Sequence, residues 1–265
     1  YSVSEGGTIW WNGTDTVWGP FHTQDNLRVA NHPVFFGKAS SLKSLVYYKN
    51  QTTDKPRFLG GYETGVSLPM PTNAVDNMES AADAGGLKFT GKDTVYLYFV
   101  NDSLKYKYSY GASYTTVYLP TAASNGMIFA KNSTVRLKGT VKGQYTLGCN
   151  STSVSTARGN IYLDDNIVYN KDPRIYPNST DMLGICAENN VLITKNTANN
   201  SDINIQASIY AGGGFGADYY DTRPVSGNIN LLGGIIQNTR KAVGTFSGTT
   251  INHGFAKRYS YDDRF

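Results

Sequence analysis

Short pairs of apolar residues with strand character return every 20 to 26 positions in the second half of this chain, and Gly and Asn crowd the intervals between them. A run that buries only two side chains is not stable alone, so a regular recurrence indicates that each run stacks on the one before. The pairs are Val135 with Leu137, Ile161 with Leu163, Leu183 with Ile185, Ile203 with Ile205, and Ile229 with Leu231. The spacing predicts an all-β fold, a right-handed parallel β-helix or β-solenoid.

The same pattern, with two interruptions, predicts one elongated domain over residues 1–265. Ile9, Leu27 and Leu45 fall at even steps of 18 in the first 50 residues and predict an early set of strands. Residues 51–92 break the pattern and contain helix-forming residues that stop at Gly85 and Gly86. Since glycine commonly ends a helix, this segment is predicted to be an insertion with a short helix.

Residues 93–119 have the alternating pattern of a β-hairpin, with a turn signal at Asn101 and Asp102. We expect its tyrosines to share one face that serves as a candidate interaction surface, because tyrosine presents a flat apolar ring with a polar tip. The alternative is that the rings pack as ordinary cross-strand pairs. The tyrosines of the predicted face are Tyr96, Tyr98, Tyr106, Tyr108 and Tyr110.

Composition favours an extracellular β protein over a cytoplasmic enzyme. Only 17% of the 265 residues are charged, against about a quarter in average soluble proteins. The net charge is +4 and the longest basic run is Lys257 with Arg258, which predicts no nucleic-acid partner. The 28 glycines and 20 tyrosines suit a chain of short strands and turns.

Two further patterns suggest covalent modification. Cys149 and Cys186 could form a disulfide in an oxidising compartment or remain free thiols, and the sequence leaves both readings open. Asn-x-Ser/Thr triplets are candidate glycosylation sites only in a host that glycosylates. They begin at Asn12, Asn50, Asn101, Asn132, Asn150, Asn178 and Asn199.

Six sequence segments carry a resemblance that spans nearly the whole chain. They read DTVWGPFHT from Asp15, NHPVFFGK from Asn31, GNIYLDDNIVY at residues 159–169, DMLGICAENNVLI at residues 181–193, and GNINLLGGIIQ at residues 227–237, followed by the closing HGFAKRYSYDDRF. In these segments the chain resembles an uncharacterised bacterial family of envelope proteins with β-helix-like repeats, similar to pilus-assembly or surface-appendage proteins. The resemblance implies an exported structural role, outside the cell or on its surface, with the export segment outside this chain.

Catalytic and metal-binding patterns are weak. Asp164 and Asp165 adjoin each other, but neighbouring residues of a strand point to opposite faces, so the pair more simply forms a turn. The three histidines, His22, His32 and His253, accompany no nucleophile motif. We therefore expect no enzymatic activity, no cofactor and no metal.

The sequence thus predicts a structural protein, a self-associating subunit of a filament or appendage, because a rod of stacked strands ends in unpaired edges. The alternative is a carbohydrate-binding or carbohydrate-active β-helix module, whose partners would be glycans. A third option is recognition of another surface protein through the same tyrosine face.

Overall fold

The structure is a computed structural model that describes residues 1–5, 9–152 and 157–265. The chain divides into two compact units. Unit 1 comprises Tyr1–Met70, Lys195–Ile203 and Gly214–Phe265. Unit 2 comprises Pro71–Thr194 and Asn204–Gly213.

Strands dominate the described residues of both units. In residues 1–70 the elements are β1 (Val3–Ser4), β2 (Thr16–Val17), β3 (Phe21–Thr23), β4 (Leu27–Val29), β5 (Val34–Phe35), β6 (Ala39–Ser41), β7 (Leu45–Tyr47), α1 (Gln51–Asp54), β8 (Arg57–Phe58) and β9 (Tyr62–Thr64). In residues 71–213 they are α2 (Met78–Asp83), β10 (Leu87–Phe89), β11 (Thr94–Asn101), β12 (Ser103–Lys107), β13 (Thr115–Tyr118), α3 (Leu119–Ala122), β14 (Met127–Ala130), β15 (Thr134–Val141), β16 (Gln144–Cys149), β17 (Ile161–Tyr169), β18 (Met182–Ala187), β19 (Val191–Ile193) and β20 (Ile203–Ala211). In residues 214–265 they are β21 (Phe215–Ala217), β22 (Val225–Gln237), β23 (Thr239–Arg240), β24 (Gly244–Ser247) and β25 (Thr250–Tyr261).

Three parallel stacks organise the first part of unit 1. Strands β2, β5 and β8 form one stack, β3, β6 and β9 a second, and β4 and β7 a third. Leu27 lies opposite Leu45, which confirms the predicted 18-residue step between these two residues. The later residues of unit 1 extend the first stack, since β25 pairs in parallel with both β2 and β22.

Aromatic side chains fill the core between these stacks. Trp11, Phe35 and Leu27 are buried, and the ring of Phe35 lies 5.6 Å from that of Trp11 and 5.2 Å from that of Phe58. Large rings bury much apolar area per residue, which suits a core built from strands of two or three residues.

Unit 2 contains two long parallel stacks. One consists of β11, β15, β17 and β19, and the other of β10, β14, β16, β18 and β20. Val135 lies opposite Ile161, and Ile161 lies opposite Val191, all fully buried. These pairings build a continuous apolar ladder, in which the step from Val135 to Ile161 is the one that the recurrence of apolar pairs predicts.

The order of stacking differs from the order along the sequence. Leu183 and Ile185 follow Ile161 and Leu163 in the apolar series, yet they lie opposite Tyr145 and Leu147 in the other stack. The chain visits the two stacks in turn, so the pair Leu183 and Ile185 belongs to a different ladder from the two pairs before it.

The segment of residues 51–92 contributes to both units. Strands β8 and β9 extend the stacks of unit 1. In unit 2, Met78 and Ala82 of α2 and the preceding Val75 pack against Phe129. Helix α2 ends just before Gly85, whose φ of 143° favours glycine.

The predicted all-β class is confirmed. The sheets are mixed, because β11–β12–β13 and β24–β25 pair antiparallel, and they do not close. These pairings do not by themselves establish a β-helix. Across the described residues, no helix has the length and apolar character needed to span a membrane.

Candidate interaction surface

The predicted hairpin in unit 2 consists of β11 and β12 joined by Asn101 and Asp102. Val100 lies opposite Ser103, so the loop has two residues. Asn101 has a φ of 57°, a left-handed conformation that asparagine tolerates better than most residues. The chain can therefore reverse at the predicted turn.

The register of this hairpin divides the predicted tyrosines that lie in its strands between two faces. Tyr96 and Tyr98 lie opposite Lys107 and Lys105, whereas Tyr106 lies opposite the buried Leu97. Directly opposed residues of an antiparallel pair point to the same side. Tyr106 therefore points inward, and the single tyrosine face predicted from the sequence is wrong.

Tyr106 and the more exposed Tyr108, which follows the end of β12, have a structural role. The ring of Tyr106 lies 5.1 Å from that of buried Phe89, and the ring of Tyr108 lies 5.6 Å from that of Tyr106. Lys92 Nζ lies 4.6 Å from the centre of the Tyr108 ring. Burial, with the neighbouring Tyr106, raises the pKa of Tyr108. These two rings cover the edge of the unit 2 core.

The outward face combines tyrosines with basic residues in rows that cross several strands. One row runs from Lys107 through Tyr96 and Arg136 to Tyr162, on β12, β11, β15 and β17. A second row runs from Lys105 through Tyr98 to Lys138. We call this face the tyrosine–lysine surface, made of Tyr96, Tyr98, Lys105, Lys107, Tyr110, Tyr114, Arg136, Lys138 and Tyr162.

Lys107 is surrounded by aromatic rings at one end of this surface. Its Nζ lies 4.7 Å from the ring centre of Tyr114 and 5.5 Å from those of Tyr96 and Tyr110. It also donates a hydrogen bond to the carbonyl oxygen of Tyr110. Cation–π contacts of this kind fix the long side chain, while the Tyr110 ring remains 85% exposed.

Arg136 is anchored at the centre of the surface. Its Nε and Nη2 donate to the Asp164 carboxylate at 3.0 and 2.6 Å. Thr194 Oγ1 donates to the same carboxylate at 2.7 Å. Burial, and then the charge of Asp164, raises the pKa of Tyr114. Asp164 therefore holds the surface in place.

The tyrosine–lysine surface is electropositive. It holds four basic side chains, Lys105, Lys107, Arg136 and Lys138, against the one carboxylate that anchors Arg136. Exposed flat rings beside cations can stack on ring-shaped ligands and attract anionic groups. The arrangement therefore suits binding.

The two cysteines do not form the disulfide that the sequence left open. Both are free. Cys149 lies opposite Ala187, while Cys186 lies opposite Gly148, one position out of step. Because side chains alternate along a strand, Cys149 points into the core and Cys186 packs toward the α2 side. Burial raises the pKa of Cys186 to about 11, so it is a weak nucleophile.

Two of the candidate glycosylation residues are buried. Asn12 is 2% exposed and Asn199 is 1% exposed. The folded chain therefore cannot present either side chain to a glycosyltransferase.

The other five candidate glycosylation residues differ in the hydrogen bonds and exposure of their side chains. Asn50 caps α1 by accepting hydrogen bonds from two backbone N–H groups, at 2.9 and 3.0 Å. Asn132 and Asn150 each accept a backbone hydrogen bond, from Thr152 and Asn132 respectively. Asn101 and Asn178 are exposed.

The other carboxylates and the histidines have structural partners. Asp165 accepts from the backbone N–H of Asn166 at 2.8 Å, and Asp181 accepts from that of Gly143 at 2.8 Å. His22 Nδ1 lies 2.9 Å from Ser40 Oγ. Within the described ranges, no group of three or more His, Cys, Asp or Glu residues is placed to hold a metal ion.

Comparison with known proteins adds little. No protein-family model matches the chain, and no curated protein matches it. Among solved structures, the chain is similar to the competence-associated pilin ComZ from Thermus thermophilus, at 12% identity and a TM-score of 0.45. The likeness covers 91% of this chain and 55% of the pilin, so the chain spans about half of that protein's length. At these values the likeness assigns neither family nor function.

The basic residues of the surface were missed in the sequence analysis. The signal is present in the KYKYSY segment, where Lys105 and Lys107 alternate with Tyr106 and Tyr108. Arg136 and Lys138 alternate in the same way with the buried Val135 and Leu137. Tyr114 lies outside any strand, and no sequence pattern identifies it.

Proposed function

We propose that this chain is a structural, non-enzymatic protein of the bacterial cell surface or extracellular space, which self-associates through an open strand edge. In this proposal the parallel stacks are coils of a right-handed β-solenoid. The 18-residue step and the ladder from Val135 through Ile161 to Val191 support the solenoid. Low charge and abundant glycine support an extracellular location.

The observation that carries self-association is the edge strand β13. It pairs with β12 on one side, and among the described strands none pairs with its other side. Its sequence Thr-Thr-Val-Tyr has high strand propensity and contains neither charge nor proline. Charged residues and proline usually protect natural edge strands from pairing with other chains. A strand that lacks both, such as β13, therefore favours pairing with another chain.

The backbone groups available on this edge can be named. Leu119 N donates to Asp102 O at 2.9 Å, which places this pair among the hydrogen-bonded positions. In an antiparallel ladder hydrogen-bonded and non-bonded pairs alternate. Val117 and Thr115 therefore bond to β12, and the N–H and C=O groups of Thr116 and Tyr118 point away from it.

Thr116→Pro tests this proposal. Proline removes the outward N–H of Thr116 but none of the bonds between β12 and β13, and edge strands tolerate it. We expect the wild type to form dimers or longer assemblies as concentration rises, and the variant to remain monomeric. Analytical ultracentrifugation and electron microscopy of the purified protein measure this difference.

Thr116→Val is the matched control, because it keeps both the backbone donor and the β-branched side chain. It should associate like the wild type. A wild-type protein that stays monomeric at high concentration would contradict self-association. Equal association of the proline variant and the wild type would show that another surface mediates it.

A second candidate function, carbohydrate binding, is favoured by the tyrosine–lysine surface. Tyr110 and Tyr114 are exposed beside Lys107, so a sugar ring can stack on tyrosine while an acidic group meets a lysine of the two rows. Strands lie about 4.8 Å apart, which places Lys105 and Lys138 roughly 10 Å apart across β11. A polysaccharide with acidic groups at intervals suits this spacing.

Binding to polygalacturonate, with neutral dextran and single-stranded DNA as comparison polymers, tests this function. We expect polygalacturonate to bind most tightly, and we expect its affinity to fall as the salt concentration rises. Lys105→Glu with Lys138→Glu should abolish binding, whereas Lys49→Glu with Lys55→Glu, which reverses two exposed charges in unit 1, should not. Equal binding of DNA and polygalacturonate would indicate a general polyanion surface and contradict sugar recognition.

A further inference from the structure

A cavity of about 660 Å³ in unit 1 lies apart from the surfaces described above. Asn12, Asp15 and Lys257 form its polar side. This volume is in the usual range for sites that bind small molecules. The question is what the polar groups can recognise.

A buried ion pair provides the charged groups of the cavity. Lys257 Nζ lies 2.5 Å from Asp15 Oδ2, and the side chains are 10% and 1% exposed. Asp15 also accepts from the backbone N–H groups of Lys257 and Asn12, both at 2.9 Å. An ammonium group has three N–H donors. Among the described residues Asp15 is its one hydrogen-bond partner, and the ammonium lies 5.3 Å from the ring centre of Trp11, so two of its donors have no acceptor in the described chain.

Asn12 adds a donor that the protein leaves unused. Its Oδ1 accepts from Asn31 Nδ2 at 2.8 Å, whereas its buried Nδ2 has no hydrogen-bond partner within the described part of the chain. Leaving a buried donor unpaired is costly and rare in native proteins. The backbone N–H of Asn12 and the Lys257 ammonium both donate to Asp15 Oδ2, so residue 12 and the Lys257 ammonium meet at one oxygen atom.

The surroundings carry an excess of buried positive charge. Arg240 is 3% exposed and donates to the carbonyl oxygens of Ile9 and Trp10, with its guanidinium 4.4 Å from the ring centre of Trp11. Asp15 is thus one buried carboxylate beside two buried cations. At the rim Glu5 is neutralised by Lys241 at 2.7 Å. An added anion would balance the charge.

The remaining wall is aromatic. The Trp10 ring lies 5.1 Å from that of Tyr48, and the Tyr48 ring lies 5.9 Å from that of Phe246. All three line the cavity. Such rings pack against the apolar body of a ligand while polar groups fix its orientation.

We propose that this cavity binds a small ligand that carries one carboxylate on a ring-shaped body. The carboxylate accepts hydrogen bonds from Asn12 Nδ2 and Lys257 Nζ, and the ring packs on Trp10, Tyr48 and Phe246. An acidic sugar and an aromatic acid share this chemistry. The site is independent of the β13 edge and of the tyrosine–lysine surface.

Paired ligands test the proposal on the full chain. Calorimetric titration with glucuronate against glucose, and with benzoate against benzyl alcohol, isolates the carboxylate in each pair. We expect the acid of at least one pair to bind and its neutral partner to bind at least tenfold more weakly, because a charge-assisted hydrogen bond is lost. Binding of glucuronate alone identifies a sugar site, and binding of benzoate alone identifies an aromatic-acid site. No heat from either acid, or equal binding of acid and neutral partner, overturns the proposal.

Substitutions then locate the site. Asn12→Leu removes the unused donor and should weaken binding of the preferred acid roughly tenfold, whereas Asn252→Leu, at an exposed position of β25, should not. Phe246→Ala, on the wall, provides a second variant if Asn12→Leu does not fold. Unchanged affinity in both Asn12→Leu and Phe246→Ala places the ligand elsewhere and overturns the assignment.

Discussion

At the scale of single residues, the buried carboxylate of Asp25 stabilises the turns around it in unit 1. Asp25 is 7% exposed and accepts hydrogen bonds from Arg28 Nη1 at 3.0 Å and Lys43 Nζ at 3.1 Å. Burial acts to raise the pKa of Asp25, but hydrogen bonds from the Asn26 backbone and from the two basic side chains outweigh it and lower the pKa to about 2. The charged form is therefore the stable form in the folded chain.

Asp25→Asn should lower the free energy of unfolding by about 2 kcal/mol at pH 7, because the pKa falls by nearly two units on folding. Because the pKa of Asp25 is lower in the folded chain than in the unfolded chain, the ionised carboxylate stabilises the fold at pH values above the unfolded pKa near 4. This contribution is lost as the pH falls toward 2. The difference between variant and wild type should therefore shrink between pH 4 and pH 2. Urea unfolding at several pH values measures it.

The control for this prediction is Glu63→Gln. Glu63 pairs with Lys38 at 2.7 Å, but both side chains are more than half exposed. Exposed pairs contribute little, so this variant should stay within about 0.5 kcal/mol of the wild type at every pH. A pH-independent loss in Asp25→Asn would instead indicate a packing defect.

At the scale of elements, the hairpin shows what alternation can and cannot predict. The strands and the turn at Asn101 and Asp102 follow from the sequence, because β-branched and aromatic residues alternate on either side of a turn signal. The common tyrosine face does not follow. A two-residue loop pairs even-numbered residues of β11 with odd-numbered residues of β12, so Tyr96 shares a face with Lys107 and not with Tyr106.

Loop length explains why the sequence spacing predicts the stacking of strands in the first part of unit 1 but only partly in unit 2. Between Leu27 and Leu45 the chain returns after 18 residues, and the apolar spacing therefore equals the stacking spacing. In unit 2, Val135 and Ile161 are 26 residues apart while Ile161 and Val191 are 30 apart. Unequal loops remove the simple period. Contacts between distant residues, such as Lys257 with Asp15, leave no local pattern at all.

At the scale of the whole molecule, each unit has its own buried ladder, and the stacking contacts are made between neighbouring strands. Stability in such architectures is mainly a sum of local terms, and unfolding need not be a single transition. The three tryptophans, Trp10, Trp11 and Trp18, all belong to unit 1. Tryptophan fluorescence therefore follows unit 1 alone, while far-ultraviolet circular dichroism follows the strands of both units.

Leu137→Ala and Leu27→Ala form a matched pair for this property, since both leucines are fully buried, one in each unit. Each truncation should cost about 2–5 kcal/mol through lost apolar contact and the cavity left behind. We expect Leu137→Ala to shift part of the circular dichroism transition in urea without moving the fluorescence midpoint, and Leu27→Ala to move the fluorescence midpoint. If Leu137→Ala moves both signals equally, the chain unfolds as one cooperative body, as the prediction of a single domain over residues 1–265 requires.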